Sequence, residues 1–63
     1  MSKDIGTIAG KVWSALHTNN GMMTVNQIKF ETHLTDFDLF TAVGWLAREN
    51  KIECLDDVLA LKE

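Results

Sequence analysis

Two helix-start signals stand close together in the middle of this chain, and they restrict its fold more than any other feature of the sequence. The first is Met23-Thr24-Val25-Asn26-Gln27-Ile28. Thr24 and Gln27 have the spacing of a capping box, in which two side chains satisfy backbone N–H groups at a helix N-terminus, and Met23 with Ile28 occupies the two positions of a hydrophobic staple. The second is Leu34-Thr35-Asp36-Phe37-Asp38-Leu39, with Thr35 and Asp38 in the box positions and Leu34 with Leu39 as the staple. Asp is shorter than the Glu or Gln that a full box prefers, so this second signal is box-like. A helix starting at Val25 must therefore end near His33, because another begins almost at once. Two helices joined so tightly make a helix-turn-helix.

The flanking segments complete the outline. Ile5, Ile8, Ala9, Val12, Trp13 and Leu16 recur at helical spacing, with Lys11, Ser14 and His17 off the centre of the stripe, which predicts a first helix from about Asp4 to Thr18. Asn19-Asn20-Gly21 stops it, since Asn and Gly tolerate the left-handed backbone at a helix C-terminus. A very short extended segment is expected at Met22 and Met23. In the third helix Leu39, Phe40, Ala42, Val43, Leu46 and Ala47 supply the expected buried stripe, and Asn50 is the candidate left-handed cap. Lys51-Ile52-Glu53-Cys54-Leu55 and Val58-Leu59-Ala60-Leu61-Lys62 read as strands joined through Asp56-Asp57, a tight hairpin without the favoured Gly. The fold class is α+β: a winged helix-turn-helix with three helices, a very short strand before the second, and a C-terminal two-stranded wing, forming a single domain over residues 1–63.

The segments Ile8 to Leu16, Thr24 to Ile28 and above all Ala42-Val43-Gly44-Trp45-Leu46-Ala47-Arg48-Glu49-Asn50-Lys51-Ile52 resemble a family of short, uncharacterised bacterial and archaeal winged helix-turn-helix proteins. The resemblance covers nearly the whole chain, and Gly44-Trp45-Leu46-Ala47-Arg48 is its most specific part. It implies a fold and no reaction, so function has to be read from individual residues.

Size and charge narrow the function classes. A chain of 63 residues lies near the lower limit for an unaided core, burying about 60% of the surface it exposes when unfolded. That thin margin favours self-association, which buries apolar surface that one protomer leaves wet. The net charge of -3 opposes nucleic acid and anionic membrane as partners. No apolar run approaches the roughly 20 residues that span a bilayer, and the polar start Met1-Ser2-Lys3-Asp4 is unlike a signal peptide. With one cysteine, Cys54, and hence no internal disulfide, the expectation is a cytoplasmic, reduced protein.

Motifs that would carry chemistry are weak. Gly6, Gly10 and Lys11 hint at a phosphate loop, but the glycines are one residue too close and Val12 stands where Ser or Thr would reach magnesium; Gly10 is expected to allow close helix packing instead. His17, His33 and Cys54 are not spaced as zinc ligands. A nucleophile pair of Cys54 and His33 is compatible with spacing, yet so short a chain has little room for a substrate pocket. Asp36 and Asp38 suit acid-base work on paper, but carboxylates in a first turn are explained by the helix dipole, at about 0.3–1 kcal/mol each. The expectation is therefore no catalytic residue, no metal, no cofactor, no small-molecule substrate and no membrane partner.

The third helix carries the strongest functional signal. With Leu39 inward and 100° per residue, Phe37, Thr41, Trp45 and Arg48 fall opposite the buried stripe. Aromatic residues bury much area at low entropic cost, and Trp is enriched at binding hot spots. The primary expectation is a non-catalytic regulatory or interaction module, self-associating as a homodimer or meeting another protein through Phe37, Thr41, Gly44, Trp45 and Arg48. The competing structural role for Trp45 is peripheral core, covered by the hairpin or the N-terminal segment. The alternative function is a DNA-binding transcription regulator using Lys29, Thr35, Thr41, Arg48 and Lys51. Against it, Thr35 to Val58 holds six acids and two bases, a net charge of -4, where tight DNA binding recruits on the order of 6 to 10 phosphate contacts.

Overall fold

A computed structural model describes residues 4–62. Asp4, with extended backbone, precedes the first helix, α1 (Ile5–Thr18), which buries Ile8, Ala9, Val12, Ala15 and Leu16. At its end the Asn19 backbone N–H donates to the Ala15 and Leu16 carbonyls, while the Asn19 side-chain amide donates to the Ala15 carbonyl at 2.7 Å and to Glu31 Oε2 at 2.9 Å. Asn20 and Gly21 then take φ of 65° and 83°, the left-handed turn that the Asn-Asn-Gly run predicts.

Strand β1 (Met22–Thr24) leads into α2 (Val25–Thr32) through a complete capping box. The Gln27 N–H donates to Thr24 Oγ1 at 3.1 Å and the Thr24 N–H to Gln27 Oε1 at 2.8 Å. The staple residues Met23 and Ile28 are both buried. His33 ends α2 in the left-handed conformation, φ 58°. Helix α3 (Asp36–Arg48) starts as α2 does: Thr35 Oγ1 accepts from the Asp38 N–H at 3.1 Å, and Leu34 and Leu39 are buried. Past its end Asn50 takes φ 63°, and Asp56, at φ 59°, supplies the positive φ of the hairpin that joins β2 (Ile52–Leu55) to β3 (Val58–Leu61).

The three strands form one antiparallel sheet in the order β1-β3-β2. Leu59 pairs with Met23 on one side and Cys54 on the other. Because side chains alternate across a strand, Met23, Leu59 and Ile52 face inward, where they join Val12, Leu16, Ile28, Leu39 and Leu46 in one core. The structure is thus the expected α+β winged helix-turn-helix.

Several side chains depart from the expected stripes. Trp13 is 40% exposed and Ile5 only half-buried, whereas Ala15 is buried. The cause is that α1 packs against α2 as well as α3, which turns its buried arc toward Ala15 and leaves Trp13 on the flank. In α3, Phe40 and Ala47 are exposed. They lie about two turns apart on the same flank, which the described residues leave exposed. Gly10 does not serve close helix packing: a Cβ there would find nothing within 4 Å.

Candidate functional site

The outer face of α3 is built by the residues that Leu39, Ala42 and Leu46 leave pointing away from the core. Phe37 is 79% exposed, Phe40 57% and Trp45 37%. Thr41, Gly44 and Arg48 are exposed beside them. The Thr41 hydroxyl donates to the Phe37 carbonyl at 2.7 Å, so this threonine satisfies its hydroxyl within its own helix. A Cβ at Gly44 would meet no atom within 4 Å. All five residues of the sequence-derived protein-interaction set therefore share one open face.

Trp45 stands between two depressions. On one side Ile5, Phe40, Thr41, Gly44, Trp45 and Arg48 line an open groove of about 450 Å³. On the other, Trp45 with Gly10, Trp13 and Lys51 lines a smaller one of about 270 Å³ that runs onto α1. The indole is thus partly sheltered by α1, and neither the hairpin strands nor the chain before α1 supplies a lining residue among those described. The Trp13 ring lies 4.9 Å from the His17 ring. The exposed apolar surface consequently extends from α3 to α1.

Electrostatics at the start of α3 is set by acids. Lys29 pairs with Asp36 at 2.6 Å, which ties up one of the cations that a DNA-contact set would use. The Thr35 hydroxyl accepts from the Asp38 N–H, and the Thr41 hydroxyl donates to the Phe37 carbonyl. Of the sequence-derived DNA-contact residues, Arg48 and Lys51 remain as exposed cations near the end of α3. His17, His33 and Cys54 are exposed on α1, at the end of α2 and on β2 respectively.

Sequence reasoning missed part of this surface. Helical spacing puts Phe40 in the apolar stripe of α3 and Ile5 and Trp13 in that of α1, yet Phe40 and Trp13 are exposed and Ile5 is half-buried. A second apolar area lies on the outer face of the sheet, where register aligns Met22 with Ala60 and Leu55 with Val58; Met22 is 57% and Leu55 52% exposed. Phe30 of α2 is 82% exposed, with its ring 6.5 Å from that of His33. The available signal for Phe40 was its position 100° from Leu39, at the stripe's margin.

A helix-turn-helix with a wing fits a DNA-binding or regulatory module, and none of its described helices is long and apolar enough to cross a membrane. No curated protein and no solved structure matches the chain. A family model described as a winged helix-turn-helix domain, DUF2582, matches residues 1–58, and the chain belongs to that family.

Proposed function

We propose that this domain is a non-catalytic regulatory or interaction module that self-associates through the outer face of α3. One observation carries the reading: Phe37 and Gly44, both exposed, stand on the outer face of α3, with exposed Phe40 on one flank and Trp45 on the other. Scattered surface apolar residues need no explanation, but a contiguous patch marks a contact site. The acidic first turn of α3 and the Lys29–Asp36 pair argue against a polyanion as the partner of this face.

Sedimentation equilibrium of the wild type and of Trp45→Ala tests it. The wild type is expected to be a dimer and the variant a folded monomer. Because Trp45 is partly sheltered and its loss also affects the fold, Phe37→Ser serves as a second variant: at 79% exposure its side chain contributes little to the core. A monomeric wild type, or a Phe37→Ser protein that dimerises as tightly as the wild type, overturns the reading.

A further inference from the structure

Resting on the self-association reading, we infer that the partner of the α3 face is a second copy of α3 running antiparallel, related by a two-fold axis midway between Thr41 and Gly44. Three features of the face specify this arrangement. The first is spacing. Phe37, Thr41, Gly44 and Arg48 follow one another at intervals of four, three and four residues, the repeat of a helix-pairing seam. That interval pattern reads the same in both directions, so a reversed copy meets the seam in register. Gly44 of each copy then lies against Thr41 of the other, and Phe37 lies against Arg48.

The second feature is the open glycine. Gly in a helix interior is less favourable than Ala, and at Gly44 no atom of the described residues lies within 4 Å of where a Cβ would stand. In the antiparallel pair that space receives Thr41 of the other copy, and small residues at such crossings let two backbones approach closely. Phe40 and Trp45 lie on opposite flanks of the seam. The symmetry brings the two Phe40 rings together on one flank and the two Trp45 rings together on the other.

The third feature is charge. Helix α3 has Asp36 and Asp38 in its first turn and Arg48 in its last. A parallel pair would set Arg48 against Arg48, which is repulsive, whereas Asp36 and Asp38 lie off the seam, Asp36 turned toward Lys29 of α2. The antiparallel pair sets Arg48 over the Phe37 ring, a cation–π contact, and also opposes the helix dipoles. Glu49, the acid at the C-terminal end, falls off the seam by its spacing from Arg48.

Cross-linking of single-cysteine proteins decides the geometry. Cys54, exposed on β2, is first replaced by Ser. Thr41→Cys and Arg48→Cys are then made separately, checked for native circular dichroism, and oxidised. With a rise of 1.5 Å per residue, the two copies of position 41 are offset along the helices by about 4.5 Å and those of position 48 by about 16.5 Å. A disulfide needs Cα atoms within about 7 Å. The expected result is a covalent dimer from Thr41→Cys and none from Arg48→Cys. Covalent dimers from both identify a parallel seam, and a wild-type dimer with no cross-link at position 41 places the contact elsewhere; either overturns this inference while leaving self-association intact. A wild type that sediments as a monomer instead removes the reading on which it rests.

Discussion

Gly10 and Gly44 pose the same question at two places: why does a helix interior tolerate glycine where alanine would fit? Neither position has positive φ, and a Cβ at either would meet nothing within 4 Å. Among the described residues, therefore, no contact offsets the cost of glycine. At Gly44 the seam gives an external reason. Gly10 lies beside the second depression, next to Trp13, and outside the seam. Gly10→Ala is expected to stabilise the domain by about 0.5–1 kcal/mol, since alanine loses less backbone freedom on folding. In thermal melts this corresponds to a rise of about 2–8 °C for a domain of this size. A drop in melting temperature would show that the space above Gly10 is filled in solution. Asp56 is the opposite case, a non-glycine residue at φ 59°, and Asp is among the residues that visit that region at least cost.

At the level of elements, the two start signals divide the labour unequally. The α2 box is reciprocal, with both Thr24 and Gln27 bonded. Helix α2 has only Ile28 as a fully buried residue and spans Val25–Thr32, so its cap is a large part of what holds it. Helix α3 buries Leu39, Ala42 and Leu46. Thr24→Ala and Thr35→Ala each remove one cap, at about 0.5–2 kcal/mol. The expected difference lies in local opening: by hydrogen exchange, Thr24→Ala lowers protection across α2 selectively, while Thr35→Ala lowers it only at the first turn of α3. Equal, global loss in both would mean that the helices open only together. These caps were legible in the sequence because their bonds run within a few residues, and the same holds for the left-handed residues Asn20 and Asn50, whereas the left-handed His33 carried no such signal. What was not legible depends on which neighbour covers which flank. The positions of Trp13, Ala15 and Phe40 depend on α1 packing against both α2 and α3 and on which flank of α3 is left exposed among the described residues, and no periodicity encodes that. The exposure of Phe37, Thr41, Gly44 and Arg48 was legible because they lie opposite Leu39, whereas Trp45, nearer the margin, is partly sheltered by α1.

For the whole molecule, charge and shape favour different partners, and a DNA titration separates them. A winged helix that grips a duplex inserts its third helix into the major groove, and here that helix opens with Asp36 and Asp38 and presents Phe37, Phe40 and Trp45. Lys29 is already paired with Asp36, which leaves Arg48 and Lys51 as the nearby cations of the assigned set. Phosphate contacts set the salt dependence, each contributing a slope of about -0.9 in log K against log salt. Two available cations therefore predict a shallow slope and an affinity no better than the roughly micromolar or weaker range of non-specific binding. Labelled duplex titrated at low and at moderate salt measures both quantities. Lys51→Ala is the informative variant, because Lys51 lies outside the α3 seam and its removal does not disturb a dimer made there. Sub-micromolar binding at cell-like salt, with a steep slope that Lys51→Ala or Arg48→Ala flattens by about one contact, would assign the α3 face to DNA. A flat response in all three proteins, while the wild type sediments as a dimer, leaves the aromatic ridge to a second polypeptide.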